Sequence, residues 1–404
     1  MNRRVAVVTI CAKNYFAKAK VLQQSYLDHH PEHFFYILLV DRKDENFAAL
    51  HTDCNLIWVE DLGIPGVLKY AFMYDIIEFS TNVKPVALRS LLGKYDEVLY
   101  IDPDIQIFDH LTPVFDALAK HSIVITPHAL SPVLDGKSPN DIDFLRFGAY
   151  NLGFIGVSNC KEAFEFLDWW SSRCLSHGFY EPQTGLAVDQ KWIDLVPAYF
   201  PGVKIMREPG LNLSFWNLHE RFLSKVDGHW LVNDIHKLYF IHFSSFDESE
   251  PGAIAMKQNR FSPEEREDVL PLYAAYAQLL NRHKAKEYKS MSYSFDFFDD
   301  GVYITAAMRR FYACLQVKFD AVSNPFASNS TVRKWGESKG LVSRKILPMQ
   351  RQNFKSLENY GTQLKVIYFF LRIILRIVGP IRYFSLMRLL PSLSSIRGQA
   401  RVVV

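Results

Sequence analysis

Apolar runs too short for helices alternate with longer amphipathic stretches through the first half of the chain. Val5-Ala6-Val7-Val8-Thr9-Ile10 is apolar or β-branched throughout and predicts a buried strand. Residues 17–29 predict a helix, residues 34–40 a second strand ending at Asp41, and residues 56–59 a short third strand. A helix is expected over 84–92, after the polar Ser80-Thr81-Asn82. Strands follow over 98–101 and 123–126, with later ones at 152–157 and 238–243. This alternation predicts an α/β fold, a mainly parallel sheet flanked by helices, with ligands at the strands' C-terminal ends. From Ser262 to about Lys289 the pattern is helical, with Pro263 at the start and Glu264, Glu265 and Glu267 in the first turn.

The end of the chain departs from that pattern. Residues 320–360 mix Ser, Asn, Lys and Gly with few apolar runs and read as a loop-rich linker. Residues 364–390 are bulky and apolar, with Lys365, Arg372 and Arg376 on one helical face until Gly379-Pro380 interrupts. The uncharged stretches fall short of the ~20 residues of a spanning helix. A basic helix lying in a bilayer interface is therefore expected, the alternative being a terminal helix docked on the protein's own core. Charge sharpens the contrast: from Arg333 onward fourteen Lys or Arg face two acids, Glu337 and Glu358, a net of +12, so with +3 overall residues 1–332 carry −9. On an anionic surface each basic residue adds about 1 kcal/mol.

The 404 residues, half of them apolar, exclude disorder for most of the length. The organisation expected is a main α/β domain over 1–260, a helical accessory region over 261–320, a linker over 321–360 and a basic amphipathic tail over 361–404. No internal repeat is found. Met1-Asn2-Arg3-Arg4 leads straight into the first strand and is too short for a secretory signal. Five cysteines, an odd number without C-x-x-C spacing, suit a reducing compartment and argue against a cysteine zinc site.

Candidate chemistry centres on Asp102-Pro103-Asp104, two carboxylates where the apolar run Val98-Leu99-Tyr100-Ile101 stops. Exposed at a strand end, such a pair invites a cation, and a divalent metal there would hold a diphosphate; the same tripeptide also serves as a plain turn. Lys84 and Arg89, on the helix ahead of that strand, are candidates for phosphate or sugar oxygens, or are surface charge. Asn151, in Asn151-Leu152-Gly153-Phe154-Ile155-Gly156-Val157, offers an amide to hydroxyls, and the small residues beside it permit close approach. Asp189-Gln190, in a helix-like stretch after Gly185, suits hydroxyl recognition or a helix cap. His242 ends a late strand, and an imidazole with two carboxylates is a ligand set suited to Mn²⁺.

In this order the motifs resemble the GT-A-fold (Rossmann-like) nucleotide-sugar glycosyltransferases, and most of all glycosyltransferase family 8, over residues 5–250. The resemblance implies a hexosyltransferase of EC 2.4 type with a C-terminal helical region. It implies that Thr9, Ala12 and Tyr15 line the nucleotide pocket, and that Asp102, Asp104 and His242 bind Mn²⁺ or Mg²⁺, Asp102 also meeting the ribose. Asn151, Asp189 and Gln190 would hold the donor sugar, and Asn212 matches the Asn-bearing loop before the late histidine. The family's Lys-Pro-Trp after that histidine is missing, Ser244-Ser245-Phe246-Asp247-Glu248 standing there instead. The diphosphate must find its cation elsewhere, with Lys84, Arg89 and Arg207 as candidates.

Trp216, Asn217, His219 and Arg221 are expected to line an acceptor groove or to pack, and the Asp299-Asp300-Gly301 turn to close over the site. The resulting expectation is a retaining enzyme using a UDP-sugar and a glycan or lipid-linked hydroxyl acceptor. Its setting would be surface polysaccharide or lipopolysaccharide synthesis, in the cytoplasm and peripheral on the inner face of the plasma membrane, with no nucleic-acid partner. The alternatives are an inverting enzyme with Asp247, Glu248 or His219 as base, a sugar nucleotidyltransferase, or an inactive membrane-associated scaffold.

Overall fold

The computed structural model describes residues 3–248, 250, 254–255, 257–343, 346 and 361–403. Residues 344–345 and 347–360 of the linker expected over 321–360 fall outside these residues. The chain divides into two compact units, one of residues 1–70 and 76–295 and one of residues 71–75 and 296–404.

The first unit is built on seven strands: β1 (Val5–Cys11), β2 (Phe34–Leu39), β3 (Asn55–Trp58), β4 (Glu97–Ile101), β6 (Ile123–Pro127), β7 (Tyr150–Ser158) and β8 (Val203–Ile205). They lie in the order β8-β6-β7-β4-β1-β2-β3. Only β7 runs antiparallel to its neighbours, so the sheet is mainly parallel, as expected of an α/β fold. β1 is buried at every position because helices cover both faces. The chain steps outward from β1 through β2 to β3, then returns to pair β4 with the other side of β1. That reversal opens a crevice beyond the C-terminal ends of β1 and β4, the place where such sheets bind ligands.

A short strand, β5 (Ile105–Ile107), leaves the sheet directly after Asp104 and pairs antiparallel with β9 (Phe240–His242). Helix α1 (Phe16–His29) lies along β5, where Ser25 Oγ accepts the Ile107 N–H at 3.1 Å. Helix α2 (Lys84–Leu92) begins with Pro at its second position and packs beside β4, and α3 (Lys161–His177) packs on α2.

Three expectations change. The helix over 262–289 is broken into Pro263–Arg266, Leu270–Arg282 and Ala285–Lys289; the second piece starts afresh with Pro271 in its first turn, and Lys284, at a left-handed φ of 59°, parts it from the third. The stretch around Asp189 is not a helix after Gly185 but a two-residue strand followed by a 3₁₀ segment, Gln190–Leu195. The linker region contains a helix, Thr331–Ser338, capped by Ser330, whose Oγ accepts the Arg333 N–H at 3.1 Å.

In the second unit, buried Arg309 donates to the carbonyls of Ala71, Phe72 and Tyr74 at 2.9–3.0 Å and pairs with Asp296 at 2.9 Å. Five donors on one guanidinium are what tie a distant five-residue segment into this unit. Asp299 and Asp300 are held there by the Ser328 N–H and Arg333. The tail forms a helical run, Gly361–Ser394, broken at Gly379, whose φ of 77° and ψ of 164° are not helical. Among the described residues no helix is long and apolar enough to cross a membrane. All five cysteines are free.

Candidate metal centre and donor crevice

The antiparallel register places His242 opposite Ile105, one residue beyond Asp104, and the Phe243 N–H closes the ladder on the Asp104 carbonyl at 2.8 Å. Residues 138 positions apart in sequence thereby meet at the C-terminal end of β4. His242 Nε2 lies 3.1 Å from Asp104 Oδ1 and 3.6 Å from Asp102 Oδ2, and the ligand atoms of all three residues fall within 4.8 Å of one another. Asp102 is fixed from below: its N–H donates to the Gly153 carbonyl at 2.7 Å, and Tyr100 Oη donates to its Oδ1 at 2.5 Å.

The tautomer of His242 follows from its neighbours. Asn151 Oδ1 accepts the Gly153 backbone N–H at 3.0 Å, a donor that cannot flip, and the Asn212 amide at 3.0 Å. The atom facing His242 Nδ1 at 3.3 Å is therefore an oxygen, and Nδ1 carries a proton. Nε2 is left to face the two carboxylates, the arrangement that orients a metal-ligating histidine. Burial works against an imidazolium here, yet the adjacent Asp104 and Asp102 outweigh it and raise the His242 pKa. Burial likewise lifts Asp104, and the facing imidazolium more than reverses it, holding the carboxyl well below the usual range. A positive charge is thus satisfied at the point where a cation's ligands converge, and two carboxylates with one imidazole fit a divalent metal.

Asn151 is buried within β7 rather than standing before a strand, so its role in this geometry is to orient His242. Its amide nitrogen lies 3.2 Å from His128 Nε2. Gln190 spends its amide on the backbone, accepting from the Leu152 N–H at 3.1 Å and donating to the Phe147 carbonyl at 3.0 Å. Asp189 is buried beside Lys84 Nζ at 2.6 Å, and the same ammonium donates to the Leu152 carbonyl at 2.7 Å and lies 4.1 Å from the Tyr100 ring centroid. Burial raises the Asp189 pKa, with Lys84 working in the opposite direction. Val188 beside it is held at a φ of 47°, strained for a β-branched residue by about 1–2 kcal/mol. The Trp170 indole N–H secures the Asp189 carbonyl at 3.0 Å.

Other expected residues lie apart from this cluster. Arg89 pairs with Asp168 on the surface, and Arg207 is exposed beyond β8, three strand spacings or ~14 Å from β4. Thr9 and Ala12 are buried, whereas the Tyr15 ring is 46% exposed. Trp216, Asn217 and Arg221 do not line a groove. Trp216 packs edge-on to His242 at 5.1 Å, Asn217 donates to the His128 and Asn212 carbonyls, and Arg221 donates to the Pro209 and Leu211 carbonyls. Tyr100, His128 and Gly153 were missed as parts of the site; the small residue at 153 was the one signal available.

A second convergence, His30, Glu32 and His33, meets the same 4.8 Å criterion. There His30 Nε2 accepts the Leu111 N–H at 3.0 Å, so the proton of the neutral ring sits on Nδ1 and no lone pair is left for a metal. Its ring stacks on His33, 4° from parallel, as packing.

No protein-family model matches the chain. It is 30% identical over 197 residues to the uncharacterized protein YfnF of Bacillus subtilis (strain 168), a match covering 48% of this chain and 64% of that protein. The chain thus spans a little under two thirds of that relative's length. Among solved structures it is similar to the glycosyltransferase GlyE of Streptococcus pneumoniae TIGR4, at 17% identity over 74% of this chain and 67% of that one, with a TM-score of 0.41. It is also similar to the galactosyltransferase LgtC in complex with donor and acceptor sugar analogs, at 18% identity over 69% and 95%, with a TM-score of 0.40.

Proposed function

We propose that this chain is a metal-dependent glycosyltransferase of the GT-A, family 8 kind, moving a sugar from a nucleoside diphosphate sugar, with UDP as the expected carrier, to a hydroxyl acceptor. The observation that carries the reading is the meeting of Asp102, Asp104 and His242 at the crevice where the strand order reverses. Those three residues would hold Mn²⁺ or Mg²⁺, which when bound supplies Lewis-acid stabilisation to a diphosphate.

The chain's own residues do the rest. Tyr100 and the Gly153 carbonyl fix Asp102, Asn151 fixes His242, and the Lys84–Asp189 pair sets a buried polar wall beside them. In the transfer, the bond between the anomeric carbon and the diphosphate oxygen breaks, and the diphosphate leaves with the electron pair. The acceptor oxygen bonds to that carbon, and its proton passes to the departing phosphate oxygen. With configuration retained, as the family 8 resemblance implies, this balance needs no protein base. Of the bases an inverting reaction would call on, Asp247 and Glu248 both face Lys289.

The tail supports a place at an anionic membrane face and a lipid-linked or surface-polysaccharide acceptor. Val366, Phe369, Phe370, Ile377, Ile381 and Phe384 are exposed on it, with Lys365, Arg372, Arg376, Arg382 and Arg388 among them and no acid between residues 361 and 404.

A thermal-shift panel of sugar nucleotides with and without Mn²⁺ tests the reading, because a ligand that binds only the folded state raises its stability. One sugar nucleotide should raise the melting temperature only when Mn²⁺ is present. Asp102→Asn and Asp104→Asn should abolish both that shift and Mn²⁺-dependent hydrolysis of the donor; unchanged hydrolysis in either variant would overturn the metal assignment.

A further inference from the structure

Three basic side chains around the crevice are already neutralised by carboxylates. Lys13 pairs with Asp44 at 3.0 Å, Lys84 with Asp189, and Lys289 with Glu248 at 3.1 Å. Lys18 has no carboxylate partner among the described residues; its ammonium lies 4.4 Å from the centroid of the Tyr15 ring.

The fold carries that ammonium to the metal ligands. Lys18 is seven residues before Ser25 on α1, two turns and ~10 Å along the same helix face. Ser25 is bonded to Ile107, and Asp104 lies three residues before Ile107, again ~10 Å along extended chain. The residues after His242, at the Asp104 end of the β5–β9 ladder, confirm the direction. Ser245 and Phe246 line one pocket with Asn14, Tyr15 and Lys18, about 210 Å³ in volume. The Lys18 charge is among those that act on Asp104.

We propose that Lys18 is the cation that meets the diphosphate of the donor, supplied from α1 in place of the lysine missing after His242. This rests on the glycosyltransferase reading above. Lys84 cannot serve without abandoning Asp189, and Arg89 and Arg207 are too far away. An unpaired ammonium over an aromatic ring costs little to move, since the ring contact is weaker than a charge-assisted bond to phosphate. Beside Asp104, it is placed to oppose the negative charge that accumulates on the leaving diphosphate. Ser245, held at a φ of 60°, turns the chain at the position where the absent motif would begin, and the residues after it line the pocket opposite Lys18.

Calorimetric titration of the full chain with Mn²⁺ alone, and with pyrophosphate, UDP and GDP in the presence of Mn²⁺, tests the assignment. Lys18→Met keeps the methylene stem against Tyr15 and removes the charge; Lys18→Arg keeps the charge. In Lys18→Met, affinity for pyrophosphate and the preferred nucleoside diphosphate should fall by about ten- to a hundredfold, the range of one charge-assisted hydrogen bond. Affinity for Mn²⁺ alone should stay within about twofold, and Lys18→Arg should recover most of the loss. If wild type binds these diphosphates and Lys18→Met binds them equally well, Lys18 is not the cation and the glycosyltransferase reading survives. If wild type binds none of them with Mn²⁺, the donor class itself is wrong and the assignment falls with it.

Discussion

Gly153 leaves empty the space that the His242 ring occupies: a Cβ on Gly153 would lie 2.4 Å from His242 Cε1 and 2.6 Å from Nδ1. The ring is wedged between Trp216 and β7, so it has nowhere to retreat without leaving Asp104. Gly153→Ala should therefore push the imidazole off its ligand position. Overpacking of this size costs about 1–3 kcal/mol of stability, and a displaced ligand should lower Mn²⁺ affinity about ten- to a hundredfold. Melting curves with a metal titration read both; a variant with wild-type Mn²⁺ affinity would show that His242 is not a ligand.

Asn151 supplies the oxygen that keeps the proton on His242 Nδ1. Asn151→Leu removes that acceptor and should weaken metal binding about ten- to a hundredfold. Asn151→Asp keeps an oxygen toward the Gly153 N–H and His242 and should retain most of the affinity. Equal affinity in wild type and Asn151→Leu, measured by Mn²⁺ titration of folded protein, would mean that the amide does not orient the ring.

Lys84 and Asp189 are both only 2% exposed, and removing one leaves the other charged and buried. Lys84→Met should destabilise the fold by about 3–5 kcal/mol near neutral pH. The sign with pH follows from Asp189, whose pKa burial already raises. Without Lys84 the carboxyl rises further, so folding favours its protonated form. The variant's deficit should then be smallest below the unfolded value near 3.8 and grow as pH rises through the folded one. Denaturant midpoints of the variant and wild type at pH 5 and 8 check this; a deficit that shrinks at pH 8 would contradict it.

Burial holds the His128 pKa at about 4, from 6.5. In the unfolded chain the ring charges below 6.5, while in the fold it resists until about 4. Stability present above pH 6.5 is therefore lost as pH falls toward 4, by up to about 3 kcal/mol from this residue. Replacing it with Phe, between Phe144 and Trp216, should flatten that acid limb. An acid limb as steep in His128→Phe as in wild type would remove His128 from the account.

Strands were legible because their sequence carries the signal locally: residues 5–10, 98–101 and 123–126 are apolar runs and form β1, β4 and β6 almost to the residue. Asp102, Asp104 and His242 were legible as residue types, though their meeting depends on β5 pairing with β9, and neither three-residue strand has a periodicity to read. Asn151 shows the converse. An amide beside small residues invites a sugar on sequence grounds, yet the small residue at 153 admits the His242 ring, and the Asn oxygen is spent on it. Lys18 was invisible, because three lysines occur between residues 13 and 20 and the decisive fact is which of them lacks a carboxylate. That fact belongs to the packing of α1, not to its sequence.

The tail exposes bulky side chains on both sides of Gly379, and a helix with Phe369, Phe370, Ile377, Ile381 and Phe384 in water loses roughly 1.5–3 kcal/mol for each that would otherwise be buried. With five basic residues and no acid along the helical run, an anionic bilayer would cover these side chains at the least electrostatic cost. The break at Gly379 lets the two halves lie separately on a flat surface. Deleting residues 361–404 should abolish sedimentation with phosphatidylglycerol vesicles, while neutral vesicles should bind the full chain weakly and high salt should release it. Replacing Arg372, Arg376 and Arg382 with Gln should cost about 3 kcal/mol of vesicle affinity, more than a hundredfold, at low salt. If the truncated protein still sediments with the vesicles, or if the full chain binds neutral and anionic vesicles alike, the basic tail is not what meets the membrane.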